Sequence, residues 1–263
     1  MASFSLTLIG VESVKDVDGL VVLTEKQRHD IVERFGHPEK VFVVPNYYDP
    51  GPPKITGLRT LLNNMKHRTR KIERDMKKVV IVSRFSSIKS IDHTIKAFKE
   101  VVAAVPEATL EIWGSGDKKQ EYMDLIKKLA LEDSVKVKGY TQHPGDVYRS
   151  GALSVVTSKA EGFSLSVMES MVNETPVVSY DIRYGPSDMI EDGENGYLIR
   201  KGDTAALAER MIHMLQNPEE TRNMGIAAGH TMRTKFSIES YQYKWFSLVD
   251  HLLGNDESRG AEE

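Results

Sequence analysis

Glu161-Gly162-Phe163-Ser164-Leu165-Ser166-Val167-Met168-Glu169 sets two carboxylates around a loop of mostly small residues. A short apolar run, Leu153-Ser154-Val155-Val156, comes just before it. A strand, a tight loop and a helix start together present free backbone N–H groups and the positive end of a helix dipole to an anion. Gly162 lets a ligand approach the backbone closely. Glu161 then lies in the loop and Glu169 lies about two turns further on. The two carboxylates need not share a target: one suits a sugar at the loop, the other a ribose diol deeper in. An ordinary helix start, with acidic residues favoured by the dipole, fits these residues equally well.

A second set follows the run Val79-Val80-Ile81-Val82. In Ser83-Arg84-Phe85-Ser86-Ser87-Ile88-Lys89, two cations emerge at the C-terminal end of a strand, where open α/β sheets bind ligands. Arg84 and Lys89 could neutralise a pyrophosphate there, although loops with two cations are commonly just solvated. A third set is Gly114-Ser115-Gly116-Asp117 after Leu110-Glu111-Ile112-Trp113. It is a glycine turn into a helix without the third glycine of the dinucleotide fingerprint, and a plain strand-to-helix turn reads as well as a nucleotide contact.

Other constellations carry less. Asp16-Val17-Asp18 spells a metal-binding tripeptide but precedes a strand rather than ending one, so it reads as a surface loop. The eight histidines show no ligand spacing, and no Gly-x-Ser-x-Gly elbow or phosphate-binding Walker loop is present. Met168, Met171 and Met189 read as packing.

The elements that must position these residues alternate. Strand-like runs recur at Leu20–Leu23, Val41–Val44, Val79–Val82, Leu110–Trp113, Val135–Val137, Leu153–Val156 and Val177–Ser179. Several are continuously apolar, as strands are when helices cover both faces of a sheet. Ile91, Ile95, Phe98 and Val102 fall at helical spacing, as do Tyr122, Leu125, Ile126 and Leu129. The expected fold is α/β, a doubly wound parallel sheet with right-handed crossovers. Thr24 and Gln27 predict a capping box for a helix ending near Gly36. Ile238, Tyr241, Trp245, Leu248 and Leu252 predict one face of a last helix, with Ser237 as its cap.

The alternation breaks once, at Tyr47-Tyr48-Asp49-Pro50-Gly51-Pro52-Pro53 and the basic stretch after it (Lys66, His67, Arg68, Arg70, Lys71, Arg74, Lys77, Lys78). We read 1–47 as a strand-helix-strand remnant of a first domain and 48–77 as a linker. Residues 78–235 are then a complete doubly wound domain, 236–254 a C-terminal crossover helix and 255–263 a polar tail. The linker cations would suit an anionic acceptor or a membrane surface; a solvated linker helix offset by Glu73 and Asp75 is the simpler reading.

Bulk numbers set the bounds. A net charge of -3 over 263 residues argues against nucleic-acid binding, and the absence of cysteine excludes disulfides and thiolate metal sites. With no apolar run of membrane length and no signal-peptide pattern at the start, the expectation is a cytoplasmic protein.

Arg84 with Lys89, Gly114-x-Gly116 and Glu161-x7-Glu169, in this order and in these strand contexts, resemble the C-terminal domain of family-four retaining glycosyltransferases, which have the two-domain GT-B fold. The similarity extends over nearly the whole chain. Asp18-Gly19-Leu20-Val21-Val22-Leu23-Thr24-Glu25 and Val43-Val44-Pro45-Asn46 resemble the end of that family's N-terminal domain. Ser179-Tyr180-Asp181-Ile182-Arg183-Tyr184-Gly185-Pro186-Ser187 resembles the bacterial branch that glucosylates poly(glycerol phosphate) or ribitol-phosphate teichoic acids, and relatives that glycosylate serine-rich adhesins. Asn173-Glu174 departs from the glycine usual in the wider family and leans toward the same branch.

The resemblance implies that Arg84 and Lys89 bind the donor diphosphate and that Glu161 contacts the donor sugar. It further implies that the backbone of Gly162, Phe163, Ser164 and Leu165 lines the site, with Gly114 and Gly116 nearby, and that Glu169 binds ribose. The implied donor is a UDP-sugar with no metal or other cofactor, and the acceptor a polyol phosphate, glycan or glycoprotein. A non-catalytic nucleotide- or glycan-binding module and a sugar-nucleotide epimerase remain as alternatives. Apolar surface on the small first unit and on the Trp245 face of the last helix would favour a homo-oligomer or a partner chain.

Overall fold

The computed structural model describes residues 14–47 and 72–254. The first unit is β1 (Leu20–Val22), α1 (Glu25–Phe35) and β2 (Val41–Val43), with the two strands paired in parallel. Its helix starts where the sequence predicts, with half of the expected box: the Thr24 hydroxyl accepts the Gln27 N–H at 3.1 Å, while the Gln27 side chain takes the Leu23 N–H rather than that of Thr24, and Gly36 closes the helix with φ 72°. Val14, Val22, Ile31, Phe35 and Val41 form a small core of their own.

The main body then runs β3 (Asp75–Val82), α2 (Ile91–Ala104), β4 (Thr109–Trp113), α3 (Lys119–Lys128), β5 (Val135–Gly139) and α4 (Pro144–Ser150). It continues with β6 (Gly151–Val156), α5 (Leu165–Val172), β7 (Val177–Asp181), α6 (Pro186–Met189), β8 (Gly196–Arg200), α7 (Thr204–Gln216), α8 (Pro218–Lys235) and α9 (Ile238–Leu252). The six strands form one parallel sheet in the order β5-β4-β3-β6-β7-β8. Counted from β3, this is the 3-2-1-4-5-6 order of a Rossmann-like sheet, as the α/β expectation requires, and its reversal lies between β3 and β6. Val79, Val80, Leu110, Ile112, Leu153, Val177 and Val178 are completely or almost completely buried, which accounts for their continuous apolar pattern.

Three details depart from the sequence reading. β8 had no place among the strand-like runs, because only Tyr197, Leu198 and Ile199 are apolar between glycine-rich, charged flanks. Part of the cationic stretch read as solvated linker is structural. Lys77 and Lys78 belong to β3, and Arg74 is built into the body. Its guanidinium donates to the Gly151 carbonyl at 2.9 Å, the Thr175 hydroxyl at 3.0 Å and the Asn173 carbonyl at 3.0 Å. Lys66, His67, Arg68, Arg70 and Lys71 lie outside the described residues, as do Pro50–Pro53 and the tail from Asn255.

The third departure is on α9. Ser237 caps it as predicted, accepting from the Ser240 N–H at 3.2 Å. Trp245, however, turns inward against Tyr241, which packs on Tyr47, and Leu248 is buried. Of the predicted face only Leu252 is exposed; the other exposed apolar side chains are Tyr243, Phe246, Val249 and, just past the helix, Leu253. The first unit occupies the side where an open Trp245 face was expected: His251 meets Phe42 edge-on and Leu252 reaches Gly19.

Candidate functional site

The sheet reversal opens a crevice at the C-terminal ends of β3 and β6, lined by Val82, Ser83, Lys89, Thr157, Ser158 and Ser166. Buried hydroxyls fasten its two rims. Thr157 donates to the carbonyls of Lys89 (3.1 Å) and Ser90 (2.9 Å), and the Lys159 N–H reaches the Ile88 carbonyl at 2.7 Å. Across this junction the Lys89 Nζ lies 2.6 Å from the Glu161 Oε1, with both side chains mostly shielded from solvent. Residues 72 positions apart in the chain thus meet because β3 and β6 are neighbours.

Arg84 stands on the same rim, exposed, and its guanidinium has no hydrogen-bond or ion-pair partner among the described residues. Its loop is held in shape by the glycine turn after β4. Ser83 N–H donates to the Trp113 carbonyl (3.0 Å) and Phe85 N–H to the Ser115 carbonyl (2.8 Å). A Cβ on Gly114 would sit 1.8 Å from the Ser83 oxygen, and one on Gly116 2.2 Å from the Phe85 oxygen. Both glycines also have positive φ. Their physical reason is therefore close approach of the two loops, and no ligand contact is needed to explain them.

Gly162 differs: a Cβ there would meet nothing within 4 Å. Phe163 buries its ring against Phe236, so only its backbone can face the crevice. Ser164 adopts the left-handed region (φ 69°) at the start of α5, caps no amide, and has a buried hydroxyl without a partner. A buried hydroxyl left unpaired calls for an explanation, and a ligand oxygen at the helix start would provide one. Leu165 is exposed beside it.

Helix α5 is fixed in rotation by its core side. Val167, Met168 and Met171 are fully buried, and the Ser170 hydroxyl pairs with that of Ser154 on β6 at 2.7 Å. That orientation leaves Glu169 half-buried, with no partner for its carboxylate among the described residues and with its pKa raised by burial. Such a carboxylate suits the two hydroxyls of a diol.

The first unit closes over this loop. Gln27 donates from Nε2 to the Gly162 carbonyl at 2.7 Å, and Lys26 Nζ reaches the Ser187 hydroxyl at 2.6 Å. Asp30 accepts from Arg183 Nε at 2.7 Å and from the Tyr184 hydroxyl. The Arg183 hydrogen bond holds the Asp30 carboxyl below its usual value. Neither Gln27 nor Asp30 was picked out as a site residue from the sequence. The capping box marked Gln27 as local, and nothing in the spacing announces a contact 135 residues away. Asp16 and Asp18 are exposed before β1, and among the described residues no cluster of three metal-type ligands occurs. No helix among those residues is long and apolar enough to cross a membrane.

Comparison with known proteins agrees with this architecture. The family described as glycosyl transferases group 1 matches residues 64–231. A poly(glycerol-phosphate) alpha-glucosyltransferase of Bacillus subtilis is 32% identical over 239 residues, which is 90% of this chain and 33% of that protein. A poly(ribitol-phosphate) alpha-N-acetylglucosaminyltransferase of Staphylococcus aureus is 34% identical over 241 residues, 91% of this chain and 45% of that protein. The crystal structure of TarM superposes with a TM-score of 0.78 at 33% identity, covering 90% of this chain and 44% of that one. The pneumococcal O-GlcNAc transferase GtfA, in complex with UDP and GlcNAc, does so with a TM-score of 0.77 at 25% identity, covering 92% and 47%. The chain therefore spans less than half the length of these relatives.

Proposed function

The chain belongs to the glycosyl transferases group 1 family, and on that premise we propose that it is the donor-binding half of a retaining glycosyltransferase that takes a UDP-sugar. The observation that carries the reading is the Lys89–Glu161 pair at the sheet reversal, flanked by unpaired Arg84 on one side and by α5 with unpaired Glu169 on the other. Arg84 and Lys89 bind the diphosphate and stabilise it as it departs. Backbone from Gly162 to Leu165 lines the sugar site, with Glu161 at the sugar and Glu169 at the ribose. Transfer proceeds on one face: the bond from anomeric carbon to phosphate oxygen breaks as the acceptor hydroxyl oxygen bonds that carbon, and the hydroxyl proton passes to the departing phosphate oxygen. Leaving-group stabilisation and positioning do the work of a protein nucleophile. The UDP in the GtfA complex and the polyol-phosphate relatives support a uridine donor and a polyol-phosphate acceptor.

Residues 1–47 then close an N-terminal domain, the chain from 48 links it to the donor domain, whose first strand β3 begins at Asp75, and 236–254 cross back. The acceptor wall belongs to the remainder of that first domain, so this chain alone binds donor and transfers little. Positioning contributes about 7–11 kcal/mol to lowering such barriers, and an acceptor without its wall forfeits most of it. The test is incubation of the 263-residue chain with radiolabelled UDP-glucose or UDP-N-acetylglucosamine and a panel of polyol-phosphate, glycan and glycoprotein acceptors, alongside calorimetric titration of UDP in excess chelator. Binding without turnover is expected. Turnover above about 1 s⁻¹, in the ordinary enzyme range, contradicts the domain reading. Epimerised free nucleotide sugar, or UDP binding that requires manganese, contradicts the donor-site reading.

A further inference from the structure

On the side where a Cβ would point, Gly162 meets nothing within 4 Å, yet Glu161 is its chain neighbour and Ser164, two residues on, stands at the N-cap of α5. What grips Gly162 is a side chain from the other unit. Gln27 uses both ends of its amide, accepting the Leu23 N–H at Oε1 (2.9 Å) and donating from Nε2 to the Gly162 carbonyl (2.7 Å). The first bond orients the amide so that the second can form, and the Thr24 cap fixes the backbone beneath it.

Around Gln27 the same helix is clasped to the body. Lys26 reaches Ser187, and Asp30 takes hydrogen bonds from both Arg183 and Tyr184. The clasped segment also touches the loop directly, since a Cβ on Gly185 would lie 2.6 Å from the Phe163 carbonyl oxygen. The loop from Glu161 to Ser164 is thus gripped by Gln27 on one side and braced by Gly185 on the other.

We infer that Gln27 is a positioning residue for the donor sugar: docked by the Asp30 clasp, it sets the carbonyl of Gly162 and, through it, the carboxylate of Glu161. This rests on the donor-site reading above. Arg84 and Glu169 take no part in the bonds that Gln27 makes, and Lys89 is reached only through its pair with Glu161, so the effect falls on the sugar more than on the nucleotide.

Gln27→Glu separates the roles within one residue. A carboxylate still accepts the Leu23 N–H and keeps the helix start, but it has no donor for the Gly162 carbonyl. Asp30→Asn, which loosens the clasp from its other end, is the second variant. Titrations of the wild-type chain and both variants with UDP, UDP-glucose and UDP-N-acetylglucosamine read the result. Gln27→Glu should keep its melting temperature and its UDP affinity within about twofold, and lose about 3- to 10-fold for the favoured UDP-sugar, the loss of one hydrogen bond. Asp30→Asn should shift the same ratio in the same direction. Equal losses for UDP and UDP-sugar, or none for either, overturn the inference while leaving the donor site standing. A wild-type chain that binds no uridine nucleotide overturns both.

Discussion

Lys89 and Glu161 form a 2.6 Å ion pair that joins the loop after β3 to the loop after β6, directly at the reversal of strand order. The ammonium is thereby held in the crevice before any anion arrives. Replacing Glu161 removes a negative charge from beside a diphosphate, whereas replacing Glu169 removes an acceptor from a diol. Glu161→Ala should therefore leave UDP affinity unchanged or raised, and Glu169→Ala should weaken it about 10- to 100-fold, the worth of a hydrogen bond to a charged group. Calorimetry with free UDP checks this. Equal UDP affinity in both variants means that the two roles are misassigned.

Glu169 carries a cost when the site is empty. Burial raises its pKa, so the folded chain binds this proton more tightly than the unfolded chain does. Stability from this group therefore falls as pH rises through the window above its ordinary value of 4.5, and the penalty is fully present above the folded pKa. Glu169→Gln should melt at a higher temperature than wild type at pH 7, and the gap should close at pH values below that ordinary value. A variant less stable than wild type at pH 7 would show that the carboxylate has a favourable partner in the free protein.

The glycines of the two loops should separate in their effects. Gly116→Ala drives a Cβ into the Phe85 carbonyl at a positive φ, and should cost about 1–3 kcal/mol or more in urea unfolding. Gly162→Ala places its methyl in open space and should stay within about 0.5 kcal/mol of wild type, while weakening UDP-sugar binding. If Gly116→Ala is as stable as wild type, the loops are not packed as described.

Much of this was legible in the chain because buried parallel strands announce themselves: five of the six sheet strands stand out as apolar runs, and β8 was lost only for its short centre. Arg84, Glu161 and Glu169 stood out because strand ends followed by glycine and charge are where such sheets bind ligands. The pairing of Lys89 with Glu161 was not legible, since it follows from the order of strands in space. Arg74 looked like one more linker cation, because nothing local reveals that three oxygens from distant segments converge on it. Gln27 and Asp30 were hidden for the same reason. Periodicity gave the inward positions of α9 as far as Leu248, but it could not say that Phe42 and Tyr47 of the first unit already lie against this helix.

The two parallel strands of the first unit are only three residues each and enclose a core of five buried side chains, against a main sheet of six strands. The described links from α1 to the main body are polar and comparatively few. In terms of cooperative folding units, the smaller one can open while the larger stays intact, and its free energy of opening is set by bonds such as those to Asp30 together with the packing of Leu23 on the body and of Phe42 and Tyr47 on α9. Amide protons of β1 and β2 would then exchange with solvent through this partial opening, and those of β3 and β6 only through global unfolding. Each partial opening also releases the Gly162 carbonyl, so the rate at which β1 amides exchange would count how often the loop before α5 is left ungripped.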